Sequence, residues 1–182
     1  MSIILVSDIF GVTPAFLAIA NKLGASTIVD PYEGQVMGFQ NEADAYSYFI
    51  KNVGLDSYLA ILSKVVESLE HQVTLIGFSV GAAAIWRLSQ SNSNNTIKQA
   101  VCYYGAQIRN FTLIEPRFKI DLVFPASEPH FDVMELQNSL VSKDNVKIKQ
   151  VKYLHGFMNC HSSNFSENGY TEHIELLSST VW

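Results

Sequence analysis

A serine stands between two glycines in the pentapeptide Gly77-Phe78-Ser79-Val80-Gly81, where an apolar β-favouring run ends and an alanine-rich stretch begins. A strand-to-helix turn this tight needs small residues beside the serine, whose hydroxyl then projects above the sheet edge. The helix N-terminus adds partial positive charge, and the N–H of Val80 can face a developing oxyanion. The pattern is typical of a nucleophile elbow and predicts Ser79 as a nucleophile. The alternative is an ordinary turn that matches the motif by chance.

A nucleophilic serine needs a base, and histidine is the usual one. His155 follows a predicted strand, at the carboxyl end where open α/β sheets build their sites, and it is the best candidate. His130 and His161 remain alternatives, although any loop histidine can simply be exposed to solvent. His71 precedes the serine, and His173 lies in a terminal helix with a mostly solvent-facing period, so both are poorly placed.

The base needs an acid, which in this arrangement lies between the serine and the histidine in the sequence. Glu128 follows the strand that ends near Pro125 and is the preferred candidate. Asp132 is the alternative, although it can instead cap the helix that follows. Asp121 lies at the beginning of its strand and therefore at the wrong edge of the sheet. We expect Glu128 to orient His155 and to stabilise its imidazolium form.

Short apolar, β-branched runs alternate with stretches of helical period, the pattern of repeated βαβ units. The predicted strands are residues 2–8, 26–30, 73–78, 99–104, 119–125 and 146–153. The predicted helices are residues 13–23, 41–51, 55–70, 80–90, 132–141 and 170–179. Strands apolar on both faces favour a mostly parallel sheet covered by helices on each side. The expectation is one α/β domain over residues 1–182, without N-terminal hairpin strands before the parallel sheet.

Composition limits the classes of partner. The chain has 182 residues, 48% of them apolar, and a formal net charge of −5 with scattered basic residues, which argues against nucleic-acid binding. Cys102 and Cys160 are too far apart for a zinc or redox motif. The N-terminus lacks the basic region of a signal peptide and is too short to span a membrane. We therefore expect a cytoplasmic monomer or homodimer with a small-molecule substrate, no metal and no cofactor.

Five segments carry a resemblance that extends over nearly the whole chain: "SDIFGVTPAFLAIANKLGASTIVDPYEG", "GFSVGAAAIW", "YYGAQI", "FPASEPHFDV" and "YLHGFMN". The sequence resembles the dienelactone hydrolase family of α/β-hydrolases. The resemblance implies a nucleophile at Ser79, an acid at Glu128 and a base at His155. It also implies that the backbone N–H of Ile9 is the second oxyanion donor, paired with that of Val80.

The chain departs from this family at positions that bear on its substrate. Serine replaces the cysteine nucleophile of the namesake enzymes. Asp8 falls where the family often has a glutamate close to the nucleophile, and it could tune the site or be a plain loop carboxylate. Two arginines that hold a substrate carboxylate in those enzymes are replaced by Gly34 and Asn159, which argues against a carboxylate substrate. The segment between Gly34 and Val73 is also shorter, so a small, open pocket is expected.

Aromatic residues at or near the carboxyl ends of predicted strands could form the wall of an apolar substrate pocket, or could equally belong to the core. They are Phe10, Tyr32, Phe78, Tyr104, Phe131 and Phe157.

Two hypotheses about function follow. In the first, the protein cleaves a small ester, lactone or thioester through a Ser-His-Glu triad and an acyl-enzyme, although an amide substrate would use the same attack. In the second, the same fold binds a ligand or partner without turnover, because a fold does not guarantee its chemistry.

Overall fold

The computed structural model describes residues 2–91 and 95–180, and these ranges contain six strands and six α-helices. The strands are β1 (Ser2–Val6), β2 (Thr27–Val29), β3 (Val73–Phe78), β4 (Ile97–Tyr103), β5 (Lys119–Phe124) and β6 (Val146–Gln150). The α-helices are α1 (Pro14–Leu23), α2 (Glu42–Asn52), α3 (Gly54–Glu67), α4 (Val80–Leu88), α5 (Val133–Leu140) and α6 (Glu167–Ser179). A short 3-10 helix, Ala106–Asn110, follows β4 and was not predicted from the sequence.

The six strands form one sheet in the order β2-β1-β3-β4-β5-β6, and every neighbouring pair among them is parallel. Strand β3 lies in the interior of the sheet, and each of its residues is buried, as expected for a parallel strand covered on both faces. The predicted α/β architecture with a mostly parallel sheet is confirmed. Because all the strands run the same way, their carboxyl ends meet at one edge.

Local signals explain where the helices begin. Thr13 caps α1 by accepting a hydrogen bond from the N–H of Phe16, and Pro14 occupies the first helical turn, as predicted. The last helix begins at Glu167 rather than at residue 170, because Ser166 caps it by accepting a hydrogen bond from the N–H of Gly169. No helix within residues 2–91 and 95–180 is long and apolar enough to cross a membrane.

Alternate side chains of strands β1 to β5 enter two apolar cores, one on each face of the sheet. Ile4 and Val6 pack with α2, α3, α4 and α5, whereas Ile3 and Leu5 pack with α1 and α6. His173 of α6 belongs to the second face and is fully buried, so the prediction of a solvent-facing position was wrong. The reason is that His173 lies on the buried stripe of α6 with Ile174 and Leu177, where its ring packs against those of Tyr103 and Phe157.

Candidate active site

Ser79 occupies the turn between β3 and α4 with φ 51° and ψ −113°, a conformation that L-residues rarely adopt. A backbone held in such a region costs on the order of 1–3 kcal/mol and persists only where its surroundings fix it. Here the N–H of Ser79 donates to the carbonyl oxygen of Tyr103, 3.0 Å away, which ties the turn to the end of β4. Ser79 itself is only partly buried, so its hydroxyl lies within reach of solvent.

The two flanking glycines are required by close packing. A Cβ at Gly77 would lie 2.5 Å from Cδ1 of Ile85, and a Cβ at Gly81 would collide with the carbonyl oxygens of Val6 and Ser7. The second collision is with backbone, which cannot rotate away as a side chain can. Both glycines therefore allow α4 to pack closely over the end of the sheet, and this packing sets the position of the serine.

Three side chains meet above the carboxyl ends of β3, β5 and β6. Ser79 Oγ lies 2.9 Å from Nε2 of His155, and Nδ1 of His155 lies 2.7 Å from Oε1 of Glu128. The His155 side chain is 25% exposed and that of Glu128 only 7%, so the carboxylate is shielded while the imidazole remains accessible. The loop that carries His155 is held by Asn164, whose Nδ2 donates to the His155 carbonyl oxygen at 3.0 Å.

The alternatives to this acid and this base lie elsewhere. Asp132 caps α5, with its Oδ1 accepting from the N–H groups of Met134 at 2.7 Å and of Glu135 at 3.3 Å. His130 is exposed in the loop before α5. His161 is also exposed and stacks on the ring of Phe10, with 5.3 Å between the ring centroids.

The loop after β1 is held as a rigid turn beside the serine. The peptide unit between Ile9 and Phe10 is bound on both sides: its N–H donates to Oδ1 of Asp8 at 2.9 Å, and its carbonyl accepts from the hydroxyl of Tyr32 at 2.6 Å. Gly11 has φ 69°, and a Cβ there would lie 2.7 Å from the ring of Tyr32. Asp8 and Tyr32, predicted as pocket or tuning residues, therefore hold the loop that carries the Ile9 N–H.

These features can be compared with known proteins. A sequence model of the dienelactone hydrolase family matches residues 1–178. The chain belongs to the dienelactone hydrolase family. A curated relative, the uncharacterized protein YczH of Bacillus subtilis (strain 168), is 32% identical over 172 residues, which cover 90% of this chain and 84% of that protein.

Solved structures of the dienelactone hydrolase family share this fold. A Klebsiella pneumoniae protein assigned as a dienelactone hydrolase superposes with a TM-score of 0.70 at 16% identity, over 98% of this chain and 86% of that one. The dienelactone hydrolase from Anabaena variabilis gives a TM-score of 0.66 at 14% identity, over 98% of this chain and 84% of that one. Both the family resemblance and the α/β-hydrolase fold expected from the sequence are confirmed.

In this family member the carboxylate of Asp8 is buried beside the site. It is 7% exposed and accepts a hydrogen bond from Nδ2 of Asn159 at 2.5 Å. Burial raises the pKa of Asp8, whereas its hydrogen bonds to the Phe10 N–H and to Asn159, and the nearby His155, lower it. The carboxylate of Glu42 raises the pKa of Asp8 further. The carboxyl group of Asp8 therefore lies close enough to both His155 and Glu42 to interact with them electrostatically.

The aromatic residues serve mainly as support. Phe157, predicted as a pocket residue, is fully buried and stacks on Tyr153 with 4.9 Å between centroids, so it belongs to the core. It also contacts Tyr104, whose ring lies 5.1 Å from that of His155. Phe78 is 2% exposed, and it borders, with Asp8 and Tyr104, a cavity of about 10 Å³, which is room for about one water molecule.

Sequence reasoning missed the position of two residues, Glu42 and Asn159, that lie close to the candidate active site. Glu42, the first residue of α2, places Oε1 3.6 Å from where a Cβ of Gly156 would stand, directly after His155. Its only sequence signal is its place in a first helical turn, where acidic residues are common for other reasons. Asn159 was noted only for the arginine it replaces, and its hydrogen bond to Asp8 joins residues 151 positions apart.

Proposed function

We propose that this protein is a cofactor-independent serine hydrolase that cleaves small, uncharged esters or lactones through a triad of Ser79, His155 and Glu128. The observation that carries the proposal is the continuous relay from Ser79 Oγ to His155 Nε2, 2.9 Å, and from His155 Nδ1 to Glu128 Oε1, 2.7 Å. A serine hydroxyl within hydrogen-bond reach of a base, itself oriented by a carboxylate, is the arrangement that nucleophilic catalysis requires.

The first half of the reaction acylates the enzyme. His155 Nε2 takes the proton of Ser79 Oγ as that oxygen attacks the substrate carbonyl carbon, and Glu128 stabilises the imidazolium that forms. The tetrahedral intermediate collapses when its alcohol oxygen leaves with the proton returned from His155. The acyl group is then bound to Ser79 as an ester.

The second half releases the acid. His155 removes a proton from a water molecule, whose oxygen attacks the acyl carbon, and the same proton returns to Ser79 Oγ as its bond to carbon breaks. The net change is one ester and one water converted to one acid and one alcohol, so no cofactor is needed. The partly exposed Ser79 and His155 are consistent with entry of water at this step.

Two backbone N–H groups are proposed to stabilise the negative oxygen of both intermediates. Neither the N–H of Ile9 nor that of Val80 donates a hydrogen bond to another described residue, which leaves both available. Val80 is the first residue of α4, so the partial positive charge of that helix end adds to its effect. Loss of one such donor typically lowers kcat by roughly 10²–10³-fold.

The carboxyl groups of Asp8 and Glu42 favour a substrate without a negative charge. The ionisable side chains close enough to shift the pKa of Asp8 are those of His155 and Glu42, and no lysine or arginine is among them. A substrate carboxylate would meet like charge there without a compensating cation. A lactone is a cyclic ester, so the family's name is consistent with this bond type.

Intact-protein mass spectrometry after exposure to a small fluorophosphonate tests the proposal. We expect a single covalent adduct on the wild-type protein and on the control Ser139→Ala, since the Ser139 hydroxyl donates to the carbonyl of Leu136 away from the site. We expect none on Ser79→Ala. A folded wild-type protein without an adduct would refute an activated Ser79 and favour the hypothesis of ligand binding without turnover. If the adduct forms on Ser79, short-chain 4-nitrophenyl esters and small lactones are screened as substrates with the unlabelled wild-type protein.

A further inference from the structure

The loop after His155 contacts the loop after β1 at two points. Nδ2 of Asn159 donates to Oδ2 of Asp8 at 2.5 Å, and the ring of His161 stacks on that of Phe10 at 5.3 Å and 25°. The first contact is partly buried, and the second lies nearer the surface. Two contacts therefore connect the loop that carries the proposed base to the loop that carries a proposed oxyanion donor.

Asn159 uses both ends of its amide in this contact. While Nδ2 donates to Asp8, Oδ1 accepts from the N–H of His161 at 2.9 Å. Only an amide of this length offers a donor and an acceptor in this geometry. The orientation of the amide is therefore fixed at both ends, and its donor is directed at the carboxylate.

Asp8 extends the connection toward the serine. Its other oxygen, Oδ1, accepts from the N–H of Phe10 at 2.9 Å, and this N–H belongs to the peptide unit that follows Ile9. Hydrogen bonds to a charged acceptor are stronger than neutral ones, and a buried carboxylate cannot exchange a lost partner for bulk water. A change at Asn159 is therefore transmitted through Asp8 to the Ile9–Phe10 peptide.

We propose that Asn159 is a positioning residue, which acts through Asp8 to hold the Ile9 N–H at a fixed distance from Ser79 and His155. The inference rests on the proposed hydrolase function and deepens it. The proposed base, His155, and the proposed oxyanion donor, the Ile9 N–H, are far apart in the sequence. The hydrogen bonds through Asn159 and Asp8 keep the distance between them constant. Its loss weakens stabilisation of the transition state more than binding of the substrate, so kcat falls while KM changes little.

The test exchanges the two partners. Asn159→Asp places two carboxylates against each other, and Asp8→Asn places two amide donors against each other. The double variant restores an amide donor facing a carboxylate, while the acceptors for the N–H groups of Phe10 and His161 are kept. Each variant is assayed for kcat and KM with 4-nitrophenyl acetate, for its rate of fluorophosphonate labelling, and for thermal unfolding.

We expect each single variant to lower kcat about 10–100-fold with KM within about twofold, and the exchange to recover most of the loss. Asn52→Asp is the control for added charge and should keep wild-type kcat, because Asn52 is exposed and, among the described residues, its amide donates just to the carbonyl of Tyr48. His161→Ala, which removes only the outer contact, should cost less than Asn159→Asp.

The inference is overturned if both single variants keep kcat within about twofold of wild type, or if the exchange is no better than the worse single variant. Should a single variant fail to fold, Asn159→Ala is measured in its place. A double variant that is folded and active then supports the bridge, and one that is folded but has a kcat as low as that of Asn159→Ala overturns it. Failure of the proposed function looks different, because the wild-type protein itself would then take no fluorophosphonate.

Discussion

Oε1 of Glu128 lies 2.7 Å from Nδ1 of His155, and the glutamate side chain is 7% exposed. Because an ionised carboxylate can only accept a hydrogen bond, Nδ1 must carry the proton of the neutral ring. The lone pair of Nε2 then faces Ser79 Oγ, which is the tautomer that a general base requires. This pair therefore fixes which ring nitrogen can take the proton of the serine.

The first prediction concerns this pair. Glu128→Gln keeps the size of the side chain but lets its amide present either a donor or an acceptor to Nδ1, so the wrong tautomer becomes populated. We expect kcat for 4-nitrophenyl acetate to fall by roughly 10²–10⁴-fold while the protein stays folded. Steady-state kinetics with circular dichroism checks both parts.

Asp132→Ala supplies the contrast, since it removes the cap of α5 and no contact with His155. The expected loss is about 1 kcal/mol of unfolding free energy, or about 2–4 °C in Tm, with kcat unchanged. Equal losses of kcat in the two variants would show that Glu128 has no special role as the acid.

The second prediction concerns the elbow. Gly81→Ala forces a Cβ against the carbonyl oxygens of Val6 and Ser7, so either α4 or the end of β1 must move. We expect a cost of about 1–3 kcal/mol in unfolding free energy and loss of fluorophosphonate labelling.

Gly24→Ala is the matched control, because a Cβ at Gly24 has open space and meets only the strain of φ 62°. It should cost about 1 kcal/mol and leave labelling intact. If Gly81→Ala is labelled at the wild-type rate, close packing of α4 on β1 does not set the position of Ser79.

The third prediction is a pH dependence of stability. Burial of His173 lowers its pKa below the ordinary value of 6.5, and nearby Lys149 acts in the same direction while Glu172 opposes it. Nδ1 lies 3.1 Å from the Tyr103 hydroxyl, and Nε2 has no partner among the described residues. Because the pKa of His173 is lower in the folded state than in the unfolded state, unfolding at low pH takes up a proton. The contribution of neutral His173 to the free energy of unfolding is therefore fully present above pH 6.5 and declines below it.

His173→Phe keeps an aromatic ring in the core but cannot titrate. Between pH 8 and pH 5, we expect the urea midpoint of the wild-type protein to fall more than that of this variant. His71→Gln, at an exposed position, should follow the wild-type curve. Parallel curves for wild type and His173→Phe would mean that His173 does not titrate on unfolding in this range.

The fourth prediction concerns substrate charge. A 4-nitrophenyl monoester of succinic acid matches the butyrate ester in length but carries a carboxylate, which would approach Asp8 and Glu42. We expect its kcat/KM to be about tenfold lower than that of the butyrate ester, equivalent to about 1.4 kcal/mol of repulsion. Glu42→Gln should narrow this difference and leave the butyrate ester unaffected. Equal rates for the two esters in the wild-type protein would contradict the argument from charge.

Local signals in the sequence were sufficient for the main features of the fold. The run from Val73 to Phe78 is apolar throughout, so it predicts a strand buried on both faces, and Thr13-Pro14 marks the start of a helix. The tight turn that carries Ser79 was recognisable because its two glycines are close in the sequence, although the role of Ser79 as nucleophile stays a prediction. Glu128 was placed correctly beside His155 because parallel strands bring their carboxyl ends to one edge, although its role as the acid stays a prediction.

The rest depended on contacts between distant residues. The bond between Asp8 and Asn159 spans 151 positions, and no local pattern encodes such a contact. His173 was misplaced because a histidine was counted as polar, yet with Ile174 and Leu177 it occupies the buried stripe of α6. Phe157 was equally ambiguous, because an aromatic residue at a strand end can face a pocket or a core until the neighbouring helices are in place.

The shared direction of the strands also has a practical use in tethering the protein to a support. The turn before β3 contains exposed His71, and β3 runs for six residues before Ser79, so this turn lies roughly 20 Å from the serine at the opposite edge of the sheet. Cys102 is buried and Cys160 is exposed. A His71→Cys, Cys160→Ser protein should therefore attach through a single thiol and leave the serine facing the solution.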